Sequence, residues 1–186
     1  MNEPWKSFIG VPDRSGAWIV WGESGSGKTT FTMQLCKEFA TREKVLYNSL
    51  EEGNSKSIAS AITRVGMIDV KQNFYLLDKE SIEELKLRLS RKRSPKVCVI
   101  DSLQYSGLDY RNYLKLIEEF PKTLFIFISH ADGKNPSGRT ASKVRYDAMV
   151  KIRVEGYRAF AASRFLEGSG TFYDVWKEGA INYHGE

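Results

Sequence analysis

The stretch WGESGSGKTTFTMQLCKEFA (residues 21–40) runs a glycine-rich turn straight into a helical pattern. Gly22-Glu23-Ser24-Gly25-Ser26-Gly27-Lys28-Thr29 fits G-x-x-x-x-G-K-[ST], the loop that cradles nucleotide phosphates. The apolar run AWIVWG (17–22) before it reads as a short strand. After it, Phe31, Leu35 and Phe39 recur at i, i+4, i+8, which predicts a helix from Lys28 to about Ala40. That setting gives the motif its meaning, because free backbone N–H groups and the positive end of the helix dipole meet phosphate oxygens there. The expected phosphate-binding set is Gly22, Glu23, Ser24, Gly25, Ser26, Gly27, Lys28, Thr29 and Thr30. Lys28 reaches the β- and γ-phosphates and the Thr29 hydroxyl binds a metal ion, so ATP and Mg²⁺ are the expected cofactors.

Working outward, KVLYNSLEE (44–52) is a second strand ending in acids, and a helix follows around Ile58 to Val65. NFYLL (73–77) is a third strand, and Ser81 with Glu84 forms a capping box for a helix whose stripe is Ile82, Leu85 and Leu89. KVCVIDSLQ (96–104) is a strand ending in Asp101. A helix with Tyr110, Tyr113, Leu114 and Ile117 leads to the apolar strand TLFIFISH (123–130). Strands alternating with helices, most strands apolar throughout, imply an α/β fold with a mostly parallel central sheet covered on both faces. AMVKIRVEG, YRAFAASRF and TFYDVW read as a small antiparallel C-terminal extension. Residues 1–16 read as irregular, with Trp5, Phe8 and Ile9 able to pack on the body, and residues 131–145 as a mobile basic loop without periodicity.

The length of 186 residues fits one domain spanning 1–186. Hydrophobic content of 41% and charged content of 27% are ordinary for a globular chain, and the net charge of +5 permits phosphate-rich partners without demanding them. Cys36 and Cys98 lack metal-ligand spacing and read as buried thiols. The polar start MNEPWKSF and the lack of any long apolar run point to a cytoplasmic protein with no membrane partner.

A parallel sheet would carry the strand-terminal acids Glu51, Glu52 and Asp101 to the edge where the phosphate loop ends. Taken with YNSLEE, VCVIDSLQY and FIFISHADGK in that order, the chain resembles the RecA-type P-loop ATPases, in particular the cores of the RadA repair ATPases and the DnaB helicases. The resemblance implies a RecA-like fold with Glu51 as catalytic base, Asp101 as the acid that joins Thr29 at the metal, and His130 as a sensor of the γ-phosphate. The residues YDAMVKIRVEGYRAFAASRFLEG (146–168) are similar to a further RadA-like stretch, in which Arg164 matches an arginine that reaches a neighbouring subunit's nucleotide. The pattern's lysine falls on Ala162, a departure that leaves a single finger or weak inter-subunit activation. The resemblance covers about residues 16–178 and implies a homo-oligomer with ATP near subunit interfaces. It carries none of the accessory segments of RadA, DnaB or RecA, a stripped core like those of short phage and mobile-element recombination ATPases.

The same resemblance makes 131–145 a contact for single-stranded DNA, through Lys134, Arg139, Lys143 and Arg145, with Tyr105 as a stacking ring. The expected function is a Mg²⁺-dependent ATPase acting on single-stranded DNA in recombination, repair or replication. A RecA-fold regulatory or assembly ATPase gripping a protein partner is the alternative reading, and a small-molecule kinase on the same loop fits less of the chain.

Overall fold

In the computed structural model, residues 2–166 and 172–185 are described. The chain runs through α1 (Trp5–Ile9), β1 (Gly16–Gly22), α2 (Lys28–Ala40), β2 (Val45–Ser49), α3 (Lys56–Val65), β3 (Phe74–Asp78), α4 (Ile82–Leu89) and β4 (Val97–Asp101). It continues with α5 (Tyr110–Glu119), β5 (Leu124–Asp132), β6 (Asn135–Pro136), α6 (Arg139–Asp147), β7 (Val150–Glu155), β8 (Arg158–Ser163), β9 (Phe172–Asp174) and α7 (Lys177–His184). The strands line up in the order β3-β2-β4-β5-β1-β7-β8-β9, with β6 folded back on β5. Pairing is parallel from β3 across to β7 and antiparallel for β8 and β9. The strand AMVKIRVEG thus joins the main sheet beside β1, and only the two strands beyond it form the antiparallel extension.

Period-two alternation in β1 explains why the sheet is covered twice. Trp18 and Val20 turn to a core shared with α1, α2 and α3, including Phe8, Phe31, Leu35 and Ile58. Ala17, Ile19 and Trp21 turn to a second core shared with α4, α5 and α6, including Leu85, Tyr113 and Val144. The capping box stands as expected, with Ser81 and Glu84 bonding each other's backbone N–H.

Two segments differ from the sequence reading. The start of the chain forms the one-turn helix α1, whose Trp5 stacks on Tyr173 with ring centroids 4.8 Å apart. The segment 131–145, expected as a mobile loop, is ordered as the β5–β6 hairpin and the first two turns of α6. Only Ala141 and Val144 of α6, with Ala148 just after it, face the core, and three short side chains among glycines and cations give no visible stripe. The C-terminal helix α7 had no sequence signal either; its inner face is Gly179 and Ala180 rather than large apolar residues. A methyl group at Gly179 would come within 2.3 Å of the Trp176 ring, so close packing decides that residue. No helix among the described residues is long and apolar enough to cross a membrane.

Candidate functional site

Register builds the site. Gly22 pairs with His130 between β1 and β5, and Ser49 pairs with Asp101 between β2 and β4. All four strands therefore end at the same sheet edge, where open α/β folds bind ligands. Gly22 itself has no room for a side chain, because a Cβ would lie 2.1 Å from the Val154 carbonyl oxygen. Gly25 and Gly27 adopt left-handed backbone at φ 75° and 98°, which turns the loop over the start of α2.

Lys28 Nζ donates to the Glu23 carbonyl at 2.7 Å. Burial lowers the pKa of its ammonium, and Asp101 and Glu51 oppose that shift. The hairpin turn between β7 and β8 props the loop from outside. Tyr157 donates its N–H to the Ser26 carbonyl at 3.0 Å and packs its ring against Gly27 and, edge-on, Trp176. The Ser26 hydroxyl is buried and has no partner.

Asp101 is only 9% exposed, and burial raises its carboxyl pKa to about 6. The buried Tyr47 hydroxyl donates to its Oδ2, partly offsetting the burial. Through its carbonyl, Asp101 accepts the N–H groups of Leu50 (2.5 Å) and Glu51 (3.1 Å), so the end of β4 fixes the turn that carries the candidate base. Glu51 and Glu52 then part company. Glu51 Oε2 lies 3.1 Å from His130 Nε2, whereas Glu52 Oε2 accepts the Ser55 hydroxyl at 2.9 Å beside the start of α3.

Behind His130, Gln104 binds three partners. Its Oε1 accepts the His130 N–H (3.3 Å), and its Nε2 donates to the Ser129 hydroxyl (2.7 Å) and the Ser137 carbonyl (2.8 Å).

These groups line one cleft of about 350 Å³, which holds Lys28, Thr29, Thr30, Glu51, Glu52, Asp101 and His130 along with Gly25 and Gly27. Its far wall is Ser57, Ala61 and Arg64 of α3, facing Tyr157. A larger hollow of about 390 Å³ sits at the opposite ends of the strands, around Trp18, Phe39 and Leu124, far from the loop. Among the described residues no three His, Cys, Asp or Glu side chains form a metal cage. The donor set suits a magnesium ion shared with phosphates, which takes one or two protein oxygens and keeps its other positions for phosphate and water. Thr29 and Asp101 would supply those oxygens, with the unpartnered buried hydroxyls of Ser49 and Ser102 flanking the acid in register and sequence.

Arg164 and the residues expected to contact DNA lie outside the cleft. Arg164 is exposed just after β8, its N–H bonded to the Met149 carbonyl (3.3 Å). The Gly168 end of the stretch carrying it lies outside the described residues. Lys134 sits on the β5–β6 hairpin, where its carbonyl accepts the Trp21 indole N–H (3.1 Å). Arg139 and Lys143 share a shallow hollow with Tyr110 and Arg111, and Lys143 Nζ lies 4.8 Å above the Tyr110 ring. Arg145 stacks 5.1 Å above the Trp21 ring and donates to Asn135 (2.8 Å). Tyr105, 59% exposed, stands edge-on to His130 at 6.4 Å. Sequence reasoning missed Tyr47, Gln104, Arg64 and Tyr157. Tyr47 is hidden in an apolar strand, and Gln104 lies in the quoted DSLQY with nothing to separate it from an ordinary turn residue.

No family model matches the chain. Over 86 residues it is 33% identical to the DNA repair protein RadA of Escherichia coli, a match covering 46% of this chain and 18% of that protein. The RadA of Aquifex aeolicus gives the same figures. The RadA of Chlamydia muridarum is 28% identical over 106 residues, 55% of this chain and 22% of that protein. The chain thus matches about a fifth of the length of these curated relatives. Among solved structures it superposes on a KaiC-like protein of the archaeon Pyrococcus horikoshii with a TM-score of 0.64 at 19% identity, covering 91% of this chain and 89% of that one. Sheet order, phosphate loop and these likenesses agree on a RecA-like P-loop fold for this chain.

Proposed function

We propose that the protein is a Mg²⁺-dependent ATPase that acts on single-stranded DNA, in recombination, repair or replication, as a homo-oligomer. The observation that carries the hydrolytic reading is the Glu51–His130 pair, 3.1 Å apart on the cleft wall across from Lys28 and Asp101.

In this reading Lys28 leaves the Glu23 carbonyl for the β- and γ-phosphates when nucleotide enters. Thr29 and Asp101 hold the magnesium ion, which neutralises charge on the phosphate oxygens when bound. Glu51 accepts a proton from the attacking water, and His130 fixes the direction of the Glu51 carboxylate. His130 also reports the γ-phosphate, since a phosphate oxygen and Glu51 compete for the same ring nitrogen.

Arg164 lies outside its own cleft, and we place it at the nucleotide of a neighbouring copy. The DNA reading is supported by Lys134, Arg139, Lys143 and Arg145, which stand on the hairpin and helix that Gln104 ties to His130, with Tyr105 beside them as a stacking ring.

The test is the ATPase rate with and without added single-stranded DNA, duplex DNA and RNA. Stimulation by single-stranded DNA together with ATP-dependent binding supports the reading. Hydrolysis without any nucleic-acid response favours the protein-partner alternative, and no hydrolysis under any condition overturns both.

A further inference from the structure

The end of the molecule opposite the phosphate loop carries a socket and a run of charge that the nucleotide reading leaves unused. The hollow of about 390 Å³ there is of the size of a ligand-binding site. Its floor is apolar. Trp18 of β1, Val97 of β4 and Leu124 of β5 stand on the sheet face that α2 covers, and Phe39 from the last turn of α2 packs beside them. Segment 11–14 closes a third side, with Val11 64% exposed. The Trp18 indole N–H is buried and has no partner, whereas buried donors are almost always hydrogen-bonded.

The rim is divided by charge. On the α2 side Glu38 accepts the Asn2 N–H (2.9 Å) and Glu43 lies 4.0 Å from Arg14, while Asp13 is exposed at the edge. On the strand side stand Lys96 and Lys122, both exposed. The cations continue past them. RKRSPK (91–96) leads from α4 into β4, and its Arg91, Lys92 and Arg93 are exposed. The Lys96 N–H donates to the Lys44 carbonyl (3.0 Å) and the Lys44 ammonium to the Arg93 carbonyl (3.5 Å), which holds the run against the starts of β2 and β4. Among the described residues, no carboxylate lies within 4.0 Å of the side-chain nitrogens of Lys96, Lys122, Arg91, Lys92 or Arg93. The negative end of α4 accounts for cations just after that helix, but not for two lysines at the starts of β4 and β5 beside an apolar hollow.

We propose that this end of the molecule is a docking site for an acidic peptide segment of a partner protein. One apolar side chain of that segment fills the hollow, and its carboxylates face Lys96, Lys122 and the 91–93 run. A phosphate backbone would engage the cations and leave the floor empty; a neutral apolar ligand would fill the floor and leave the cations unanswered. An acidic segment with one aromatic or branched aliphatic residue uses both, and its carbonyl or carboxylate oxygens are acceptors of the kind the Trp18 N–H lacks. A buried anchor in a pocket supplies affinity, and the rim charges supply encounter rate and salt dependence. The site is separate from the nucleotide cleft and does not depend on the function proposed for it.

The test is fluorescence anisotropy of a labelled peptide of four aspartates, a glycine and a C-terminal phenylalanine, titrated with the full chain. Saturable binding that weakens with added salt is expected. Lys96→Glu/Lys122→Glu should weaken it at least about tenfold, and so should serine in place of the peptide's phenylalanine. Val11→Trp, which crowds the mouth from an exposed position and leaves the rim charges intact, should do the same. These variants should keep the parent's Tm and bind nucleotide within about twofold of it, because the cleft lies at the other end of the strands. If the double reversal does not fold, Lys122→Glu alone should still cost about threefold or more. Binding indifferent both to the phenylalanine and to Val11→Trp is unspecific attraction of charge and overturns the proposal. A labelled oligothymidylate that binds more tightly than the peptide, and loses affinity in the same variants, assigns the surface to nucleic acid and overturns it. Self-association without peptide that Val11→Trp abolishes makes the occupant a second copy of the chain and overturns it too. So does the lack of saturation at about 1 mM protein, the weak limit of a specific contact.

Discussion

The cleft at the strand ends and the cationic face of α6 both hold charged side chains, yet they are built in opposite ways. In the cleft, the candidate groups at the strand ends are held by hydrogen bonds to neighbouring strand ends: Asp101 by Tyr47, Glu51 by the Asp101 carbonyl and His130, His130 by Gln104. On α6 the cations are held by ring faces and surface contacts, Lys143 over Tyr110 and Arg145 over Trp21. Fixed groups act on the rate of a reaction, where a small misplacement is costly. Adaptable surface cations act on affinity and its salt dependence. Substitutions in the two regions should therefore separate into two kinds of defect.

The sharpest break is expected at Lys28. Lys28→Ala removes the cation between Asp101 and the β/γ-phosphates, and tight ATP binding or turnover should be abolished; calorimetry with Mg·ATP and a phosphate-release assay check both. Next comes Glu51→Gln, which should keep Mg·ATP bound and lose on the order of 10²-fold or more in hydrolysis. Glu52→Gln should lose far less, because its carboxylate serves Ser55. Equal defects in the two would remove the basis for assigning the base to Glu51.

On the other region, changing Lys134, Arg139 and Lys143 together to alanine should weaken single-strand binding and flatten the salt dependence of log K by about two, roughly 0.7 for each phosphate left without its cation. Nucleotide affinity should not change, and a full salt slope in the triple variant would take DNA away from α6.

The smallest effect is expected for Tyr47→Phe. The Tyr47 hydroxyl lowers the Asp101 pKa, which burial raises to about 6. A proton on Asp101 excludes the metal, so Mg²⁺ affinity should fall as pH drops through about 6. Removing the hydroxyl moves that midpoint to higher pH, a change of a few-fold at neutral pH with unaltered affinity well above it. A pH series of Mg²⁺ titrations on both proteins reads the shift.

Legibility in the sequence followed the same division. That Gly22 to Thr29, Asp101, Glu51 and His130 lie at one sheet edge was legible because the sheet was readable from AWIVWG, KVCVIDSLQ and TLFIFISH, whereas the roles expected of Glu51 and His130 came from the family resemblance. The helical character of 139–147 was not, since α6 meets the core through alanines and one valine. Tyr47 was invisible for another reason: one hydroxyl on an otherwise apolar strand looks like core packing until the register puts it on the same face as Asp101, one diagonal step away. Contacts that depend on cross-strand neighbours, such as Lys151 with Ala162, have no signature along the chain at all.

Gln104 ties these two regions together mechanically. One amide group spans the strand end that bears His130 and the Ser137 carbonyl just ahead of α6. Neither segment can shift by more than a fraction of an ångström without stretching a bond worth about 1 kcal/mol. A displacement of His130 on loss of a phosphate would thus be felt at the base of the cationic helix, and a load on that helix would be felt at His130. Thermodynamics makes such a linkage symmetric: whatever factor nucleotide applies to grip on α6, grip on α6 applies to nucleotide.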